Sequence, residues 1–155
     1  MKILIFSDTH KSINECIDVI NSTDGVDAVI HAGDMIADAE DLESIFENID
    51  FFAVSGNNDF ATSVPCSRLV ELGGKKIFIT HGHTLHVREG VDALTERAKK
   101  LGADIAVYGH THICHDSIEQ GIYVINPGSM GYYPRTYAVL TIDDNKIKTK
   151  IEKYD

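Results

Sequence analysis

Short apolar runs that each end in a histidine, aspartate or asparagine recur along this chain, and they restrict its fold more than any other feature. Residues 3–6 lead into Asp8-Thr9-His10, residues 28–30 into Gly33-Asp34, and residues 51–54 into Gly56-Asn57-Asn58-Asp59. Residues 77–79 then lead into Thr80-His81-Gly82-His83, and residues 105–108 into Gly109-His110-Thr111-His112. Runs that are short and apolar throughout are expected of strands covered on both faces. If such strands share a sheet and all finish in donor side chains, the donors converge on one edge. The carboxyl-terminal edge is where open α/β sheets place their ligands. The mixture of carboxylate, amide and imidazole suits a hard or borderline divalent cation, and there are too many donors for one. The pattern predicts a two-metal site.

The segments between these runs alternate strand and helix. Ser12 is placed to cap a helix reaching about residue 21, with Ile13, Cys16, Ile17 and Ile20 on one face. A second helix over about 39–48 turns Leu42, Ile45 and Phe46 inward, and a third covers 91–101 and ends at Gly102. With strands over 1–6, 28–31 and 51–55, the first half reads βαβαβ, which implies parallel pairing and right-handed crossovers. Beyond Pro65 the chain reads mostly as hairpins: 68–72 with 75–80 about Gly73-Gly74, 113–119 with 122–125 about Gln120-Gly121, and 137–142 with 146–152 about Asp144-Asn145. One more strand covers 104–108. The expected fold class is α/β, with two sheets and helices outside them, all 155 residues forming a single domain.

Composition limits the partners. A hydrophobic fraction of 43% with 25% charged residues describes a soluble globular chain. Cys16, Cys66 and Cys114 are odd in number and form no CxxC, so they read as reduced, mostly buried thiols of a cytoplasmic protein. The four apolar residues before Ser7 are too few for a signal-peptide core or a membrane span. A net charge of −10 argues against an extended nucleic-acid groove. The basic residues Lys146, Lys148 and Lys150 alternate with others, as on the polar face of a strand. An acidic chain can still take an anionic substrate, because bound cations offset the carboxylates of the site.

Taken singly, the candidate ligands are ambiguous. Asp8 and His10 lie two apart after a strand, so both can face one ion, or they are a turn aspartate and a surface histidine. Asp34 has two oxygens and can bridge two ions, or it caps a helix. Asn57 can offer its amide oxygen, or it tolerates a left-handed turn. Gly109-His110-Thr111-His112 is the most specific short signal. Joint occurrence at five strand ends favours metal. Two hydrated ions about 3.5–4 Å apart can share a bridging hydroxide and clamp an in-line displacement at phosphorus. Other two-metal hydrolases act at a carbonyl carbon, so spacing alone leaves both reactions open.

These motifs, in this order, resemble those of the calcineurin-like metallophosphoesterases. The short length, with Asn126-Pro127-Gly128-Ser129 and Pro134-Arg135, is similar to the small bacterial and archaeal phosphodiesterase branch related to Vps29. The resemblance covers nearly the whole chain. It implies a four-layer α/β/β/α sandwich of two mixed sheets with helices outside. It also implies two divalent metal ions, with manganese the first choice and nickel, iron or zinc as others. Carried over, Asp8, His10 and His112 would hold one ion, Asn57, His81 and His110 the other, and Asp34 would bridge them. His83, Asn58 and Arg135 become candidates for contact with the phosphate. Many members of the family have a histidine where Asn58 stands, and an asparagine cannot serve as a general acid. Asp59 would then fix the Asn57 loop and His31 would orient a ligand, while His86 and His115 read as surface residues. The expected function is hydrolysis of a small or nucleotide-like phosphodiester through a metal-bridging hydroxide. A phosphomonoesterase and a non-catalytic scaffold of the Vps29 kind are the competing classes. No membrane partner is expected, and a homo-oligomer is left open.

Overall fold

Alternation along the first strand sets the stacking of layers. In β1 (Lys2–Phe6), Ile3 and Ile5 enter one apolar core while Leu4 and Phe6 enter another. Successive side chains of a strand point to opposite faces, so a strand apolar at every position must be covered twice. The computed structural model describes residues 1–155 and shows what does the covering.

One sheet has the order β10-β9-β1-β2-β3, with β2 (Ala28–His31) and β3 (Asp50–Ala53) parallel to β1. Its other two strands, β9 (Thr136–Asp143) and β10 (Lys146–Lys153), are antiparallel. The second sheet has the order β4-β5-β6-β8-β7. Here β5 (Lys75–Thr80), β6 (Ile105–Val107) and β8 (Ile122–Asn126) run parallel, while β4 (Ser67–Leu72) and β7 (His115–Glu119) are antiparallel edges. The largest core, with Ile3, Ile5, Ile30, Ile77, Ile79, Ile105 and Val107, lies between the two sheets. A second core joins Phe78, Ala106 and Val124 to Leu94 and Ala98 of α3 (Asp92–Lys100). A third joins Leu4, Phe6 and Val29 to α1 (Ile13–Ser22) and α2 (Ile36–Ile45) through Cys16, Val19, Ile20 and Leu42. The result is the four-layer α/β/β/α sandwich of two mixed sheets. No helix is long and apolar enough to cross a membrane.

Several local expectations are corrected. Ser12 stands at the N-cap of α1 but its side chain caps nothing. The second helix begins at Ile36, three residues before the expected start, because Asp59 reaches from another loop to accept a hydrogen bond from the Ile36 amide at 2.8 Å. The shift leaves Ile45 as the last helical residue and 52% exposed, so it does not pack inward with Leu42. A 3₁₀ turn over His83–Leu85 has no periodic signal in the sequence. Of the cysteines, only Cys16 is buried; Cys66 and Cys114 are exposed because both lie in segments flanking edge strands.

Candidate metal centre

Parallel strands of both sheets end at the same edge, and the candidate ligands follow them. Asp8 comes two residues after β1, Asp34 three after β2, His81 directly after β5 and His110 three after β6. Two groups of donor atoms assemble there. Asp8, His10 and His112 form one, and Asp8, Asp34 and His81 the other, with the donor atoms of each group within 4.8 Å of one another. Asp8 belongs to both. Its Oδ1 lies 3.1 Å from His112 Nε2 and 3.9 Å from His81 Nε2. Its Oδ2 is already engaged, accepting from Ser7 Oγ at 2.5 Å and from the His110 amide at 3.0 Å. The His110 ring stands 5.1 Å from that of His81 and belongs to neither group.

The geometry of His81 tests whether a cation suits these residues. Its Nδ1 lies 2.8 Å from the Ala32 carbonyl oxygen, which can only accept, so the proton sits on Nδ1. The Nε2 of the neutral ring therefore presents a lone pair. It faces Asn57 Oδ1 at 3.1 Å, Asp34 Oδ1 at 3.4 Å and Asp8 Oδ1 at 3.9 Å. A lone pair aimed at three oxygens is repulsive unless a positive charge, a bound cation or a proton on Nε2, lies among them. His10 Nε2, in the other group, is buried with no hydrogen-bond partner, which is costly for a polar atom with no further role. Both arrangements fit divalent cations held by mixed oxygen and imidazole donors.

Close approach of backbones makes room for this cluster. A Cβ added at Gly109 would collide with Ser7 Oγ and lie 2.8 Å from Asp8 Oδ2. One added at Gly56 would collide with Asp34 Oδ1 and lie 2.5 Å from the Asp34 amide nitrogen. Asp59 ties the Asn57 loop to α2, since its Oδ2 accepts from the Gly56 amide at 2.7 Å while Oδ1 takes Ile36. The segment after β8 braces the centre from the other side. Asn126 Nδ2 donates to the Gly109 carbonyl and to Thr111 Oγ1, each at 3.0 Å, and Ser129 Oγ donates to the Asp8 carbonyl at 2.8 Å.

The remaining candidates have definite places. Asn58 donates through Nδ2 to Asp34 Oδ2 at 2.6 Å and through its amide to Asp34 Oδ1 at 3.0 Å. Burial pushes the Asp34 carboxyl up, but the Asn58 hydrogen bonds and the neighbouring His81 and His10 outweigh it and leave its pKa below the usual value. His83 lies 5.4 Å from the His81 ring, its Nδ1 buried and unpartnered. Burial first, and the neighbouring His81 second, hold its pKa below that of free histidine. His110 is lowered too, by burial, then by His81 and Arg88.

His31 is buried in a directed chain: the Gly33 amide donates to Nδ1 at 3.3 Å, Nε2 reaches Thr9 Oγ1 at 3.1 Å, and Thr9 donates to Asp38 Oδ2 at 2.6 Å. His86 is exposed, as expected. His115 is not a plain surface residue, since Nδ1 meets Tyr108 Oη at 2.8 Å and Nε2 meets Ser117 Oγ at 2.7 Å. Arg135 turns away from the cleft to pair with Glu15 of α1 at 3.3 Å. Two residues near the centre were missed by sequence reasoning. Tyr132 stacks on His112 at 5.1 Å and packs edge-on against His10 at 5.1 Å. Arg88 acts on His110 and lines an adjoining cavity. The exposed aromatic pair Tyr132-Tyr133 beside Pro134-Arg135 was the available signal for the first; Arg88 carried none.

Known proteins resemble this chain in sequence and fold. Residues 1–145 match the model of the calcineurin-like phosphoesterase superfamily domain. The probable metallophosphoesterase YsnB of Bacillus subtilis is 34% identical over 152 residues, covering 94% of this chain and 86% of its own. Phosphodiesterase MJ0936 of Methanocaldococcus jannaschii is 32% identical over 167 residues, covering 94% of this chain and 95% of its own. The crystal structure of a predicted phosphoesterase from Streptococcus pneumoniae superposes with a TM-score of 0.83 at 30% identity, covering 99% of this chain and 89% of that one. The Zn²⁺ complex of Vps29 from Entamoeba histolytica, at 21% identity and a TM-score of 0.76 with full coverage of both chains, shares the fold.

Proposed function

We propose that this chain, which belongs to the calcineurin-like phosphoesterase superfamily, is a metal-dependent phosphodiesterase acting on a small or nucleotide-like phosphodiester. The observation that carries the reading is the His81 lone pair aimed at three oxygens of Asn57, Asp34 and Asp8. Asp8, His10 and His112 would hold one divalent ion, and Asn57, His81 and His110 the other, with Asp34 between them. Manganese is the first choice by resemblance to the family, with nickel, iron or zinc as the others. Bound there, two such ions would supply an activated water and offset the charge gathering on the phosphoryl oxygens.

The chain's own residues prepare the cleft. The Ala32 carbonyl fixes the His81 tautomer, so Nε2 is the free nitrogen of the neutral ring. Asn58 keeps Asp34 ionised and therefore ready to bind a cation. His83, its pKa lowered chiefly by burial and its Nδ1 unpartnered, is a candidate to exchange a proton at that atom. Diesters are favoured over monoesters by what is missing from the cluster. A monoester dianion calls for a cationic clamp; Arg135 is committed to Glu15, and Arg88 lines the adjoining cavity.

The test joins metal content to turnover. Purified protein loaded with manganese should hold two ions per chain and hydrolyse bis(p-nitrophenyl) phosphate with a higher kcat/KM than p-nitrophenyl phosphate. Asp34→Asn should lose both ions, since Asp34 would lie between them, and Asp8→Asn should weaken both, since Asp8 belongs to both donor groups. Equal or better turnover of the monoester would make the protein a phosphomonoesterase. Absence of metal uptake under all conditions would leave the scaffold reading.

A further inference from the structure

A cavity of about 490 Å³ opens off the loop that carries His110 and His112, and no part of the metal chemistry uses it. Thr111, the residue between those two histidines, lines it, as do Val87, Arg88, Tyr108 and Ile113. Its size falls within the range of roughly 300–1,000 Å³ typical of small-molecule sites. Val87 and Tyr108 are buried and form an apolar wall, and Ile113, 71% exposed, extends that wall into solvent. An exposed isoleucine beside a catalytic cleft gains from being covered. Tyr108 is fixed by the contact of its Oη with His115 Nδ1 at 2.8 Å, which keeps that side of the cavity in shape.

Arg88 supplies the charge. The ion pairs formed by arginine and lysine in this chain are Arg135–Glu15 and Lys150–Glu152, which leaves the Arg88 guanidinium unpaired. Arg88 lines the same cavity as Thr111, the residue between His110 and His112, which places it beside the centre.

We infer that this cavity receives the second arm of the phosphodiester, and that Arg88 selects an arm ending in a further anionic group, a phosphate or a carboxylate. The inference rests on the phosphodiesterase reading and names its substrate class. With the reacting phosphorus in the cleft, one ester arm passes over Thr111. Its carbon atoms cover Ile113 and Val87, and its terminal anion meets a guanidinium whose planar fork donates to two oxygens at once. Diesters with uncharged alkyl or aryl arms can fill the wall but leave Arg88 unused.

A matched pair of substrates tests this: p-nitrophenyl 2-phosphoethyl phosphate and p-nitrophenyl propyl phosphate, which differ in the terminal charge of the arm. Wild-type protein should favour the charged arm, chiefly through KM, by about tenfold. Arg88→Gln should erase that preference and Arg88→Lys should keep part of it, because lysine retains the charge and loses the fork. A preference unchanged in Arg88→Gln, or equal losses on both substrates in that variant, would overturn the proposal. The second result would place Arg88 at the reacting phosphate instead. Binding is read separately from turnover through Cys114, which lines the same cavity and is exposed, with exposed Cys66 as internal reference. The slowly hydrolysed 2-phosphoethyl ester of benzylphosphonate should protect Cys114, and not Cys66, from iodoacetamide in wild type but not in Arg88→Gln. If neither diester is hydrolysed, the phosphodiesterase reading fails. Protection with no turnover then keeps the anion subsite, and no protection removes it.

Discussion

Five of the candidate ligands hold a left-handed backbone that L-residues rarely adopt: Asp8, His10, Asp34, His110 and His112, with φ between 44° and 67°. Such residues cost about 1–3 kcal/mol each and persist only where the surroundings over-determine them. Here the surroundings are visible. The Asp8 amide donates to the Gly33 carbonyl at 3.0 Å, and the Asp8 carbonyl accepts from Ser129 Oγ and from the Gly131 amide. The sequence offered the left-handed conformation as the alternative role of Asn57, which does not adopt it. Asn58 has its effect through Asp34. Its side-chain amide is one of the contacts that depress the Asp34 pKa, so Asn58→Ala should raise it. A depressed carboxylate contributes above its unfolded pKa and loses its effect as pH falls through the folded value. A raised pKa therefore moves that loss to higher pH. Metal content and kcat/KM followed downward from pH 7 should show the acid limb of Asn58→Ala displaced toward neutral relative to wild type. Coincident acid limbs would mean that the backbone contact from residue 58 suffices alone.

Helix α2 reaches the centre without contributing a ligand. Its Asp38 is buried and accepts from Thr9 Oγ1 at 2.6 Å and from the Lys11 amide at 2.8 Å. Thr9 is the middle residue of Asp8-Thr9-His10, so holding it inward turns its neighbours out toward the cleft. Asp38→Asn should weaken manganese binding by about 10- to 100-fold, the usual cost of losing a partner of a metal ligand, with little change in substrate KM once metal is saturating. Titration calorimetry gives the first quantity, and unchanged affinity would reduce Asp38 to a helix anchor. The strands and their terminal clusters were legible in the sequence because an apolar run flanked by glycine and a donor is local information. The start of α2 was not, since Asp59 fixes it from 23 residues away. Asp38 reads in sequence as an ordinary helix-surface aspartate, and only the fold brings Thr9 to it. Arg88 follows a 3₁₀ turn with no period to mark its neighbours. The thiols divide along the same lines. Cys16 lies on the buried face of α1, with its pKa raised chiefly by burial, whereas Cys66 and Cys114 are exposed. Native protein should therefore take up two equivalents of iodoacetamide and a third only on unfolding; early modification of Cys16 would mean that α1 opens in the native state.

At the scale of the molecule, the centre lies across a seam. Asp8, His10, Asp34 and Asn57 follow strands of the sheet containing β1, whereas His81, His110 and His112 follow strands of the sheet containing β5. Apolar packing of Ile3, Ile5 and Ile30 against Ile77, Ile79 and Ile105 holds the sheets together through their middle. At the carboxyl-terminal edge the direct links are polar, such as His81 to Ala32 at 2.8 Å and His112 to Asp8 at 3.1 Å. A cation bound by donors from both sheets joins them at that edge. An ion that binds only the folded state adds RT ln(1 + [M]/Kd), about 2.7 kcal/mol at a hundredfold excess over Kd. For a chain of this size each kcal/mol moves the unfolding midpoint by about 2–4 °C, so manganese at that excess should raise Tm by about 5–11 °C. Asp8→Asn should abolish the rise, because that residue faces donors of both sheets. His112→Ala, which leaves the group of Asp8, Asp34 and His81 intact, should keep part of it. Scanning calorimetry over a manganese series distinguishes these outcomes. A full Tm rise retained in Asp8→Asn would place the stabilising ion elsewhere in the molecule, and the cross-sheet centre would fail with it.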